Sequence, residues 1–305
     1  MNLRTFIWLV ILAWVWGPAF MLIKIAVHEI PPLTLIAGRL TLAALVLYLV
    51  LRFQGRRLPG WGTIWKHFAV VALASSALPF ALISWGEQHI DSALAAMLTG
   101  TTPLFTMILA HFFTSDDRLT PAKIAGILIG FSGLILLAAP ALLGGLQAST
   151  WGLLATLVSA VSYGVGIVYA RQNLRGLPPL VVPTAQLLLA ALYLLPLAWV
   201  IEQPYTLPLP SWPTLAAVLA LAVVSTALAF VLYYRVMEKA SATSLSMIAY
   251  LVPIVGTILG VVLLDEQLGW LAYLGCSLIL LGIMAVNNLF QWGHWRHLHT
   301  APQRP

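Results

Sequence analysis

Apolar residues along this chain come in runs of nearly one length. An α-helix needs about 20 mostly apolar residues to cross ~30 Å of hydrocarbon. Ten such runs are present: 5–24, 33–52, 67–86, 92–113, 121–139, 151–170, 178–200, 212–234, 243–264 and 269–290. They are twice as long as a barrel strand and lack its strict alternation, which predicts helices. The connections are short, and several carry Pro or Gly, as at Pro31-Pro32, Gly144-Gly145, Pro178-Pro179, Pro208 and Pro210. None has room for a soluble domain. The first run follows a single cation, is too long for a signal-peptide core and has no small-x-small cleavage site. It is read as a retained first helix.

Composition agrees with the pattern. Of 305 residues, 61% are hydrophobic and 8% charged, against about 25% charged in soluble domains. That excludes an ordinary cytosolic enzyme, a disulfide scaffold and a disordered chain. The net charge of +6 does not point to nucleic acid, because the cations are scattered singly between apolar runs. It reports orientation instead. With the N-terminus inside, thirteen Lys and Arg fall in cytoplasmic connections and tails, and only Lys24 lies opposite. Arg39, the fifteenth, sits within helix 2. Both termini are expected in the cytoplasm, in a multi-pass protein of the cell (inner) membrane. Cys276, the single cysteine, reads as a small buried hydrophobe.

The chain also resembles itself. Shifting it by 150 pairs Ser75/Ser225, Phe80/Phe230, Met97/Met247 and Pro103/Pro253. A shift of 149 pairs Gly126/Gly275 and Gly133/Gly282, and one of 147 pairs Gly17/Gly164, Pro31/Pro178, Pro32/Pro179 and Leu40/Leu187. Each unit holds five runs, and five is odd, so the second copy enters the membrane in the opposite sense. The expected fold is all-α and integral to the membrane: ten transmembrane helices as two inverted five-helix repeats around a central cavity. Residues 1–145 form the first repeat, 146–290 the second and 291–305 a cytoplasmic tail. Inverted repeats with a midplane site are typical of secondary transporters.

Trp16-Gly17, the Pro-Pro start of helix 2, the Pro103 and Pro253 helices and the acidic turn Asp265-Glu266 before a Gly-bearing helix 10 carry a further likeness. In combination they resemble the drug/metabolite transporter superfamily and its EamA branch, over about residues 5–290. Within that branch the chain looks most like the YddG-type exporters of aromatic and other neutral amino acids. The resemblance implies a basket of ten helices whose cavity is lined mainly by helices 1, 3, 4, 6, 8 and 9, with 5 and 10 peripheral.

Candidate site residues are the polar and aromatic groups inside the spans, because these are costly against lipid and turn toward protein or water. Pro79, Phe80 and Ser84 lie near one face of helix 3. Thr99 and Thr102 flank Gly100 in helix 4, where Pro103 frees the carbonyl near Thr99. Phe230, Tyr234 and Tyr250 hold the matched places in helices 8 and 9, and Trp16 and Tyr163 those in helices 1 and 6. Lys24 and Arg39, toward the outer ends of helices 1 and 2, are candidate gates or anion contacts; their bland reading is snorkelling, or pairing with Glu29. Glu87, His89 and Asp91 read as solvated loop charges. Asp116-Asp117 and Asp265-Glu266 are expected to favour the helix N-termini that they precede, and the paired glycines to pack helices closely. His294, His297 and His299, with Trp292 and Trp295, form the tail; no metal site is assigned there.

No motif for phosphate, dinucleotide or metal is present, so no cofactor is expected, and no catalytic set. Small multidrug antiporters of the resembled superfamily depend on a central glutamate. No span here has an acid near its centre, which disfavours cation export by that mechanism and suits a neutral or zwitterionic solute moved by uniport. The expectation is an alternating-access exporter of small metabolites, chiefly neutral or aromatic amino acids, acting as a monomer with no partner but substrate and bilayer. A carrier of a sugar, nucleobase, vitamin or drug with proton coupling is the alternative. A nucleotide-sugar carrier would want several deep cations, and none is placed centrally. A lipid-modifying membrane enzyme is the contrasting class.

Overall fold

A computed structural model describes residues 3–114, 118–143, 147–237 and 245–286. Asp116, Asp117, Gly144, Gly145 and the tail residues Trp292, His294, Trp295, His297 and His299 lie outside the described residues. No strand occurs among the described residues. Eight helices are long and apolar enough to span a bilayer: α1 (Arg4–Ala26), α2 (Pro32–Phe53), α3 (Ile64–Gly86), α4 (Ser92–Phe113), α5 (Pro121–Leu143), α6 (Ser149–Asn173), α7 (Val181–Ile201) and α8 (Trp212–Met237). Two shorter apolar helices follow, α9 (Ile248–Leu263) and α10 (Trp270–Val286). The side of the molecule bearing Arg4 is called the near face, and the opposite side the far face.

Proline and glycine account for the irregular places. α1 is interrupted at Gly17, immediately before Pro18. A Cβ at Gly17 would meet the Val255 side chain at 2.5 Å, so only glycine lets α9 approach there. α4 breaks at Gly100-Thr101, before Pro103. The Thr102 hydroxyl donates to Thr99 O at 2.7 Å, so the carbonyl region loosened by Pro103 gains a side-chain partner. α3 and α8 each contain a π turn, at Leu73–Ala77 and Val223–Leu228. Two π turns at an offset of 150 are a feature that side-chain patterning alone does not show.

α5 and α10 cross glycine to glycine at the edge of the molecule. A Cβ on Gly133 would sit 2.5 Å from Gly275 O, and one on Gly282 2.5 Å from Gly126 O. The paired glycines therefore form a close packing face, as their spacing predicts. Apolar side chains such as Leu45, Leu128, Leu192 and Val262 point outward into the hydrocarbon region.

Candidate functional site

A cavity of about 740 Å³ lies at the centre of the helices. Side chains from α1, α3, α4, α6, α8 and α9 line it, together with Arg39 from α2, and α5, α7 and α10 contribute none. It reaches Ala110, Arg171 and Ser246 toward the near face, and toward the far face it stops around Ile23 and Ile83.

Two aromatic pairs form its walls. Phe80 of α3 meets Tyr163 of α6 edge-on, with ring centroids 6.2 Å apart. Phe230 of α8 meets Trp16 of α1 edge-on at 6.1 Å, and Tyr233 tilts against the same Trp16 at 5.6 Å. Such pairs contribute about 0.5–1.5 kcal/mol beyond area burial. Phe80/Phe230 and Trp16/Tyr163 are matched positions of the two halves, so each half's phenylalanine meets the aromatic ring that follows the other half's offset.

Of the residues expected from sequence, Trp16, Phe80, Thr99, Thr102, Tyr163, Phe230 and Arg39 line this cavity. Others do not. Pro79 is packed inside the helix bundle. Ser84 is fully buried, with its hydroxyl unpartnered. Tyr234 stacks edge-on against Tyr233, which takes the lining place instead. Tyr250 is buried and donates its hydroxyl to Ile283 O of α10 at 3.1 Å, which makes it a strut between helices. Sequence spacing from Phe230 gives either i+3 or i+4, and packing selects i+3.

Arg39 differs most from its expected position. Rather than reaching toward an interface, it is 4% exposed and turned into the cavity. Its Nε donates to Thr226 Oγ1 at 2.9 Å, and its guanidinium lies 4.2 Å from the Phe80 ring centroid. Thr226 belongs to the π turn of α8. A mirrored contact joins the other helices: Gln186 Nε2 of α7 donates to Ser76 Oγ in the π turn of α3 at 2.7 Å. Arg39 and Gln186 are related by the offset of 147, and Ser76 and Thr226 by 150.

The far face is closed by side chains that cross between the halves. Glu202 accepts from Leu33 N at 2.9 Å and Thr34 N at 2.6 Å, the start of α2. Glu266 accepts from Ser92 N at 2.7 Å and Ala93 N at 2.8 Å, the start of α4. Glu29 accepts from Ser211 N and Ser211 Oγ, both at 2.6 Å, at the start of α8. Each carboxylate thus meets the donor-rich end of a distant helix. This corrects the expectation for Glu266, which serves α4 rather than the α10 that it precedes. Asp265 holds a left-handed conformation (φ 54°) just before it.

Lys24 does not pair with Glu29. Its Nζ donates to the backbone carbonyls of Glu87 at 2.7 Å and Ile90 at 2.8 Å. Glu87 is a second correction: it is fully buried, not a solvated loop charge, and both carboxylate oxygens are without a hydrogen-bond partner. Desolvation raises its pKa well above the ordinary carboxylate range, although Lys24 and Arg39 pull the other way. Asp91 is raised for the same first cause, while the Ser211 contacts lower Glu29. Among the described residues no group of His, Cys, Asp or Glu is arranged to hold a metal ion.

The profile of the EamA-like transporter family matches residues 3–139 and again residues 150–288. The chain belongs to that family. It is therefore a member of the drug/metabolite transporter superfamily and a multi-pass membrane protein. The uncharacterized transporter YoaV of Bacillus subtilis is 27% identical over 272 residues, covering 88% of this chain and 91% of the relative. The uncharacterized inner membrane transporter YedA of Escherichia coli K12 is 28% identical over 274 residues, covering 90% and 87%. The probable amino-acid metabolite efflux pump of the same strain is 26% identical over 279 residues, covering 88% and 90%. A protein of known crystal structure shares the fold with a TM-score of 0.67 at 22% identity, over 94% of this chain and 98% of its own.

Proposed function

We propose that this EamA-family transporter moves small amphipathic metabolites, chiefly neutral and aromatic amino acids, by uniport with alternating access. The observation that carries the reading is the cavity: aromatic and aliphatic walls, threonine hydroxyls at the α4 break, and no acid among the described residues that line it. Aromatic walls bury an apolar side chain, and no acid among the described lining residues stands beside the cargo to trade a proton with it directly. One relative is named a probable amino-acid metabolite efflux pump, which supports the same solute class and the direction of export.

The chain acts as two inverted five-helix units that rock against each other. The matched π turns, the matched aromatic pairs and two family matches in one chain support this reading. The cation bias of thirteen to one supports cytoplasmic termini, and on that reading a cavity reaching the near face is an inward-facing state. The test is a thermal-shift panel of amino acids on purified protein, followed by counterflow of the hits in proteoliposomes. Saturable counterflow without an imposed proton gradient is expected. A strict requirement for that gradient contradicts uniport, and unaltered binding in Phe80→Ala and Tyr163→Ala contradicts the cavity assignment.

A further inference from the structure

We infer that Arg39 is the carboxylate-recognition residue of the cavity, and that the protein reads the carboxylate of its cargo while leaving the amine unread. This rests on the transport reading above and narrows its substrate class to carboxylates with an apolar body.

The two halves supply the first part of the case. Gln186, matched to Arg39, bridges its helix to the π turn of α3 with a neutral amide. Arg39 makes the corresponding bridge to the π turn of α8. A neutral side chain therefore suffices for the structural task, and the charge at residue 39 is surplus to it.

Desolvation supplies the second part. A buried cation is costly unless an anion or several acceptors meet it. The described residues give Arg39 one hydrogen bond, through Nε, and one ring face, that of Phe80. Glu87 lies within electrostatic range, yet neither of its oxygens accepts a hydrogen bond, so the guanidinium fork is not committed to it. The fork borders a cavity whose lining contains a second arginine, Arg171, and no Asp or Glu. A planar guanidinium matches a carboxylate through two parallel N–H···O bonds. With the carboxylate there, an apolar side chain extends along Trp16, Tyr163 and Phe230. An ammonium group finds only hydroxyls and carbonyls, which tolerate it without requiring it.

The ligand series needs no mutant: L-phenylalanine, 3-phenylpropionate, L-phenylalaninamide and phenethylamine are titrated onto the purified full-length protein. The two carboxylates should bind with comparable affinity, and the amide and amine about ten- to hundredfold more weakly, the range set by losing hydrogen bonds to a charged group. Arg39→Gln copies the matched residue, keeps a donor for Thr226 and should bring the carboxylates down to the level of the amide, whose own affinity does not change. Arg39→Lys should recover part of the loss. If the amide and amine bind as tightly as the carboxylates, or Arg39→Gln leaves the carboxylates unaffected, the inference is overturned while the transport reading stands. If none of the four binds, both fall together.

Discussion

The two ends of the molecule are held by different chemistry. On the far face three carboxylates reach across the halves to the donor ends of α2, α4 and α8. On the near face no carboxylate makes such a bridge among the described residues; the contacts there include Arg56 Nη1 to Pro179 O at 3.1 Å, Gln172 to Phe113 O, and His67 Nδ1 with the Tyr169 hydroxyl at 2.9 Å. Charge-assisted hydrogen bonds are about twice as strong as neutral ones, and those of Glu202 and Glu266 are also shielded from water in part or in full. The cavity reaches the side on which no described residue supplies a bridging carboxylate. Closure in this state is thus a property of the far-face carboxylates, and their removal should release it.

Far-face opening is read as labelling of an Ile23→Cys reporter, buried at the far end of the cavity, in a Cys276→Ala background, by an impermeant maleimide applied from the far side. The largest effect is expected for Glu266→Ala. Two N–H groups at the start of α4 lose their acceptor beneath a residue only 9% exposed, a cost of about 2–3 kcal/mol in the closed state. Labelling should rise and the melting temperature fall. A variant indistinguishable from the parent would break the comparison at its strongest point.

Next comes pH. The Glu87 pKa is raised in the closed state, so that state binds a proton more tightly than one in which Glu87 is hydrated. Closure should therefore strengthen as far-side pH falls and weaken as pH rises through the elevated value. Labelling of the reporter should increase with pH in the parent, and Glu87→Gln should remove most of that increase, leaving the smaller response of the half-buried Asp91. A pH profile unchanged by Glu87→Gln would assign the response elsewhere. Lys24, Glu266 and Arg39 act electrostatically on that carboxylate and set where the transition falls.

Glu29→Gln should act least among the far-face changes, since Glu29 is exposed and water replaces the loss. Its pKa is lowered by the Ser211 contacts, so this latch weakens only when pH falls below the ordinary carboxylate range. Arg56→Ala, on the near face, should leave far-side labelling unaltered. If Arg56→Ala opens the far face more than Glu266→Ala does, the contrast between the two ends is wrong.

Much of this was legible in the chain because the bilayer imposes a length. Span positions follow from hydrocarbon thickness, and Gly126, Gly133, Gly275 and Gly282 follow from the demand for close packing in lipid. The cavity aromatics were legible as matched pairs, since Trp16, Phe80, Tyr163 and Phe230 recur at constant offsets. What sequence could not provide were contacts between residues far apart in it. Glu266 lies 174 residues from Ser92, and Glu202 169 from Leu33, so local helix-end rules point to the wrong partner. Asp91, by spacing the cap of α4, makes no side-chain cap bond. Arg39 was misplaced because its helix position suggests snorkelling, whereas Thr226 and Phe80 draw it inward. The matched glutamine in α7 was the signal available beforehand.

Alternating access requires that the two ends of the cavity open in turn, which labelling from both sides of the membrane reads out. A Met107→Cys reporter inside the cavity is labelled from the near side and the buried Ile23→Cys reporter from the far side, in Cys276→Ala proteoliposomes, with and without a saturating hit from the thermal-shift panel. The account predicts reciprocal change: as ligand shifts the population, labelling at one reporter falls while it rises at the other. Simultaneous rise at both reporters, the behaviour of a continuous pore, would contradict it.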